Sequence, residues 1–129
     1  KVVEKVVEKV VEKPVTVEKV VVAPLRRDIF FDLNKTNVRS SESLKIKDIA
    51  DYLTANPSAK VQITGYADKK TGNASINRRL SEQRAAAIVR VLTTNYGISE
   101  SRISSEFKGD TEQPFAENVK NRVSVCIAQ

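Results

Sequence analysis

The sequence contains no histidine, which removes the usual general base at neutral pH and the commonest transition-metal ligand. A single cysteine, Cys126, excludes an intrachain disulfide framework and a cysteine-rich zinc site. It lies in VSVCIA, which reads as a buried strand, so an inert packed thiol is expected rather than a nucleophile. Aromatic residues are few, three tyrosines and four phenylalanines, and they are not interleaved with basic residues in a base-stacking pattern. No apolar run is long enough to span a bilayer and no signal peptide is recognisable. The chain opens on Lys1 rather than methionine, and we expect a fragment or a processed product. No catalytic motif, metal cluster or cofactor signature is present, so we expect no enzyme, no metal and no cofactor.

What is present is one domain's worth of chain. The 129 residues carry a net charge of +6 and a pI near 9.6, which permits an anionic partner such as nucleic acid, acidic lipid or a cell-wall polymer without choosing among them. Residues 1–23 stand apart. KVVE recurs three times and then degrades to KPVT and VEKV, with five lysines against four glutamates over residues 1–22. A period of four places the paired valines in a slowly drifting stripe on a helix, whereas a strand would place one valine on each face. Pro14 ends or kinks any helix. A linker without a core of its own is the favoured reading; the other is an edge-pairing or oligomerising element, which offers a route to a homo-oligomer.

Residues 24–129 read as the globular domain. Leu25, Arg27, Ile29 and Phe31 alternate with Arg26, Asp28 and Phe30, the period of a strand. DLNKTN is a loop by composition, and Ser40 or Ser41 is placed to cap a helix. Ile46, Ile49, Ala50 and Leu53 recur at helical spacing until Asn56-Pro57. Val61, Ile63 and Gly65 form a second strand, the run from about Ala74 to Asn95 a second helix stopped near Gly97, Ile103 to Phe107 a third strand, and Val123 to Ile127 a fourth. The order β-α-β-α-β-β predicts an α/β fold of the α+β sandwich kind, with two main helices packed on a mixed four-stranded sheet.

One stretch, Ile63 to Ala85, concentrates the chemistry. Asp68 falls just past a strand end. On the following helix Arg84 lies between Leu80 and Ile88 at spacings of four, and Asn77 lies seven residues before it, so both lean toward the body of the protein. An inward guanidinium left unpaired would be costly, so an anion is expected nearby, either a protein carboxylate or one brought by a ligand.

FFDLNKTNV, VQITGYADKKTGN, the block from Asn77 to Ala85, Gly97-Ile98 and Asn121-Arg122-Val123 together resemble the OmpA-like peptidoglycan-binding domain, a family that includes the Pal lipoprotein and the cell-wall domain of the flagellar stator protein MotB. The resemblance covers about residues 25 to 129. It implies a periplasmic, non-catalytic module that grips the diaminopimelate side chain of the peptidoglycan stem peptide and anchors the outer membrane. The rest of the protein would be an upstream outer-membrane barrel or anchor, and no nucleic acid would be bound. The family's paired aspartate and arginine fall on Asp68 and Arg84, and its supporting positions on Asp32, Asn34, Asn77, Leu80 and Arg122. Two features depart from the common pattern: the turn between Asp68 and Gly72 is one residue longer, and the usual Asn-Arg-Arg-Val is here Asn121-Arg122-Val123.

Plainer readings stand beside these. Asp68 can be a turn or cap residue, Arg84 can form a structural salt bridge with Asp68, Asn34 can close an Asx-turn, Arg122 can merely flank a strand, and Arg78, Arg79 and Arg90 read as a solvated face. An electrostatic binder of nucleic acid or an acidic envelope component is the alternative function; an enzyme acting on the cell wall is a third.

Overall fold

The computed structural model describes residues 6–9, 16–19 and 22–129, with side chains from residue 22 onward. Strands β1 (Val6–Lys9) and β2 (Thr16–Lys19) pair antiparallel, Val6 opposite Lys19 and Lys9 opposite Thr16. The described parts of the Val-Lys-Glu repeat are thus extended rather than helical. Its reading as a linker or as an oligomerising element otherwise falls on residues outside those described.

The domain proper follows the expected order: β3 (Leu25–Phe30), α1 (Ser43–Ala55), β4 (Val61–Gly65), α2 (Ala74–Thr94), β5 (Ile103–Phe107) and β6 (Val123–Ala128). The sheet order is β3-β6-β4-β5. β6 runs antiparallel to both neighbours and β4 runs parallel to β5, so the four-stranded sheet is mixed as expected. The parallel pair needs a long crossover, which α2 supplies.

Alternation along the strands sends Ile29, Val61, Ile63 and Cys126 to the helix-covered face, where all four are fully buried or nearly so. α1 lies against β3 and β6, α2 against β4, β5 and β6, and the helices touch each other. Ile46, Ile49, Ala50 and Leu53 of α1 and Leu80, Ile88 and Leu92 of α2 fill the layer between. Cys126 is sealed in it, and burial pushes its thiol well above the ordinary range, as an inert thiol requires.

Part of the opposite face is covered by the connection from β5 to β6. Phe115 packs on Phe30 with ring centroids 5.7 Å apart. Buried Asn121 clamps that loop, donating to Phe115 O at 2.9 Å and accepting from Phe115 N at 2.8 Å.

The helix caps are not all as the sequence suggests. Asn73 caps α2, its side chain accepting from Ile76 N at 2.9 Å, and beyond the other end Gly97 turns the chain at φ 65° while Ile98 N donates to Leu92 O. Neither Ser40 nor Ser41 caps α1. Both lie in a 3-10 turn, Ser40–Glu42, that leads into it. The buried Glu42 carboxylate is committed elsewhere, accepting from Phe30 N at 2.7 Å and from Lys45 Nζ at 2.9 Å. An otherwise unpaired edge N–H on β3 is thereby satisfied, which outweighs a local cap.

The sheet registers put Phe30, Gly65, Phe107 and Val123 at one end of the sheet. From that end emerge the turn after β3, the loop after β4 and both ends of the β5–β6 connection. All the candidate residues outside α2 lie on these segments.

Candidate functional site

Arg84 is 1% exposed and organises this end of the molecule. Its Nε donates to Lys35 O at 3.0 Å, Nη1 to Tyr66 O at 3.0 Å and Nη2 to Asp32 O at 3.3 Å. It also lies over the Phe31 ring, 5.5 Å from the centroid. The acceptors of its hydrogen bonds are therefore backbone carbonyls, and among the described residues it makes no salt bridge with Asp68. The structural-salt-bridge reading of that pair gives way to a different one.

Three donations leave one N–H on each terminal nitrogen, the complement a carboxylate needs for a two-pronged contact. Burial, with a smaller push from the Arg122 charge, pulls the guanidinium down to about 10, against the nearby Asp68 charge, which raises it. It stays protonated at neutral pH and in need of an anion.

Those carbonyls belong to the loops that build the site. Asp32 to Lys35 is a tight turn, Lys35 N donating to Asp32 O at 3.1 Å, with Asn34 at φ 58°. Asparagine tolerates that left-handed position better than most residues, so Asn34 does shape a turn. Arg84 holds both ends of the turn and leaves Leu33 and Asn34 over the cavity.

Asp68, 2% exposed, is ion-paired to Arg122, with Arg122 Nε 2.8 Å from its Oδ2. Oδ1 also accepts from Thr71 N at 3.0 Å, Lys70 N at 3.2 Å and Asn118 Nδ2 at 3.1 Å, and the Thr71 hydroxyl reaches both oxygens. Asp68 is thus a turn aspartate and also a buried charge with an arginine partner. Arg122 does more than flank a strand. Burial works to raise the Asp68 carboxyl, but the hydrogen bonds from Arg122, Thr71 and Asn118 and the Arg122 charge outweigh it, and the net shift is downward from 3.8.

A carboxyl lower in the folded state than in the unfolded chain stabilises the fold above the unfolded value, and that stability is lost as pH falls through the folded one. Asp68→Asn should therefore flatten the loss of stability with acid below pH 3.8, as read by urea unfolding over a pH series. An unchanged acid limb would remove Asp68 as its source.

Asn77 is buried and acts as a brace between loops. Its Nδ2 lies 2.9 Å from Thr71 O and from Asp110 Oδ2, and 3.2 Å from Asp68 O. Ser81, one turn on, accepts from Gly109 N at 2.8 Å.

Together these groups line a cavity of about 330 Å³. Of the seven candidates, Asn34, Asp68, Asn77, Leu80 and Arg84 line it, joined by Leu33, Thr71 and Ile76. Asp32 contributes only its carbonyl to Arg84; its side chain turns away to Arg39. Arg122 braces Asp68 from behind and lines a neighbouring cavity. Thr71 and Asn118 were not among the candidates. Thr71 is three residues past Asp68, a spacing that suits an aspartate turn, whereas Asn118 carries no local signal. Arg78, Arg79 and Arg90 are exposed, with Arg78 lying over Phe107.

The OmpA family model matches residues 30–125. The chain belongs to the OmpA family. It is 38% identical over 113 residues to outer membrane protein 40 of Porphyromonas gingivalis, covering 88% of this chain and 28% of the relative. It is 32% identical over 97 residues to outer membrane porin F of Pseudomonas aeruginosa, covering 75% and 27%. The chain thus spans under a third of these relatives. Among solved structures, the peptidoglycan-associated lipoprotein of Burkholderia pseudomallei superposes with a TM-score of 0.73 at 22% identity, over 80% of this chain and 90% of that one. The C-terminal domain of Helicobacter pylori MotB gives 0.66 at 20%, over 80% and 84%. The OmpA family comprises non-enzymatic structural proteins, in keeping with the expectation of no enzyme.

Proposed function

We propose that this OmpA-family domain binds peptidoglycan non-catalytically, through the diaminopimelate side chain of the stem peptide, and anchors an outer membrane to the cell wall from its periplasmic side. The observation that carries the reading is the shared cavity of Asp68 and Arg84, a buried acid and a buried base on a loop and a helix that are braced together. The free end of a meso-diaminopimelate side chain bears an ammonium and a carboxylate, so its complement is one group of each sign. The two remaining N–H groups of Arg84 take the carboxylate. The ammonium goes to Asp68, where the Thr71 hydroxyl now donates and can rotate aside. Leu33 and Leu80 line the apolar stem.

Asp68 is held by Arg122, not Arg84, so binding need not break an internal pair. That arrangement keeps two guanidiniums around one carboxylate and leaves the site with a surplus positive charge for the incoming carboxylate. Residues 1–23 serve as the tether between residues 24–129 and an upstream outer-membrane barrel or anchor.

Titration with meso-diaminopimelate and with lysine tests the reading. Lysine lacks the terminal carboxylate and would leave the Arg84 donors unmatched in a desolvated site, so it should bind on the order of hundredfold more weakly. Equal affinities would remove the specificity argued here. A merely electrostatic attachment would instead show steep salt dependence with no preference between the two ligands.

A further inference from the structure

We propose that the free edge of β5 receives the β1–β2 hairpin of a second copy of this chain, so that two copies exchange hairpins and pair through their backbones. The proposal is independent of peptidoglycan binding, since it uses an edge of the sheet and not the loops around Asp68 and Arg84.

The two edges of the four-stranded sheet are unequal. On β3 the outward backbone groups are occupied by side chains: Phe30 N donates to Glu42 at 2.7 Å, Asp28 O accepts from Lys45 Nζ at 2.8 Å, and Arg26 O accepts from Arg27 Nη1 at 2.9 Å. β5 forms the other edge. Lys108 N donates to Gly65 O at 3.0 Å, and alternation along the parallel ladder then turns residues 104 and 106 toward β4 and Ser105 and Phe107 away from it. The outward N–H and C=O groups of Ser105 and Phe107 have no partner among the described residues. Ser104, Ser105 and Glu106 are exposed. The strand contains no proline, its register with β4 is unbroken, and its one charge, Glu106, is answered by Lys108 at 3.8 Å. The usual defences of an edge strand are therefore missing on β5.

The same chain supplies the complement. β1 and β2 form a sheet of two strands, which no third strand joins among the described residues, and a pair of that size is marginal until it adds to another sheet. Half of residues 1–22 are valine, a composition that favours strands. With five lysines against four glutamates this segment is nearly neutral, so almost all of the +6 charge resides on the domain. Pairing β5 with β5 would set two such domains edge to edge, whereas a neutral hairpin meets no comparable repulsion.

The hairpin of the same copy falls short of β5. Ala23 O accepts from the Tyr52 hydroxyl at 2.9 Å, and Tyr52 lines the outer flank of β3 together with Arg27 and Asp48. Lys19, the end of β2, precedes Ala23 by four residues, about 14 Å at full stretch. A strand added to β5 lies four interstrand spacings from β3, roughly 19 Å. The occupant is therefore a second copy, and a two-fold exchange of hairpins closes both β5 edges at once.

Sedimentation velocity on the whole chain should show a dimer whose share rises with protein concentration. Ser105→Pro removes an outward N–H without breaking the β4 ladder and should give monomers; should that variant fail to fold, Ser104→Lys/Ser105→Lys blocks the edge with charge instead. Val7→Pro/Val17→Pro breaks the hairpin, lies outside the domain, and should also give monomers with unchanged thermal unfolding. Mixing an edge-blocked variant with the hairpin-broken one should restore a dimer containing one copy of each, because one retains the hairpin and the other the edge. An unmodified chain that is monomeric at every concentration, a dimer that persists in the hairpin-broken variant, or a mixture that stays monomeric would each overturn the exchange.

Discussion

Arg84→Ala should abolish retention of the protein on purified sacculi of the diaminopimelate type, and should also loosen the fold. Loss of binding follows because no other donor at the carboxylate end of the cavity can replace a two-pronged guanidinium. The effect on stability has two opposing parts. Removing a desolvated charge relieves a cost, seen in the guanidinium being pulled down to about 10. Against this, the carbonyls of Asp32, Lys35 and Tyr66 lose their common donor. Three hydrogen bonds from a charged donor outweigh the relief, and a net loss of about 2 kcal/mol is expected from urea unfolding. Arg84→Lys separates charge from geometry. An ammonium keeps the positive charge but cannot serve three carbonyls and still offer two parallel N–H groups, so sacculus binding should fall nearly as far. Full binding by the alanine variant would refute the site; full binding by the lysine variant would show that charge alone suffices.

The strands and helices could be read from periodicity because burial imposes it locally. Ile29, Ile63 and Cys126 point inward as alternation requires, and the Ile46-Ile49-Ala50-Leu53 face of α1 is the buried one. The inward lean of Arg84 was equally visible, since Leu80 and Ile88 bracket it on one helix face. Its partners were not. The direction of a backbone carbonyl depends on how a remote turn is seated, and the acceptors at Asp32 and Lys35 lie 52 and 49 residues away in sequence. Arg122 reaches Asp68 across 54 residues, so neither spacing nor composition reveals the pair. Asp68 and Arg84 could be placed together beforehand only by family resemblance. The capping role expected of Ser40 or Ser41 failed for a related reason. Glu42 answers to the β3 edge, a tertiary demand that a local motif does not register.

Gly65→Ala should be among the most damaging small substitutions in the domain, although the site's chemistry would be untouched. A Cβ at residue 65 would lie 2.0 Å from Ser81 O, 3.0 Å from Ser81 C and 3.2 Å from Ala85 Cβ. Backbone cannot swing aside as a side-chain tip can. Reaching even 3.0 Å from that oxygen requires α2 to withdraw by about 1 Å, the difference between 3.0 and 2.0. Overpacking of this kind should cost about 3 kcal/mol and lower Tm by about 10 °C. The helix moves as a unit, so Asn77, Leu80 and Arg84 would all shift relative to the loop that carries Asp68. Binding should therefore weaken well beyond the fraction unfolded. Gly97→Ala is the control. Nothing lies within 4 Å of its added Cβ, so it bears only the backbone cost of φ 65°, about 1 kcal/mol. Because Gly97 lies beyond the far end of α2, that variant should bind diaminopimelate as the unmodified protein does. If Gly65→Ala bound normally at a temperature where it is folded, the close seating of α2 on β4 would not be what aligns the two charges.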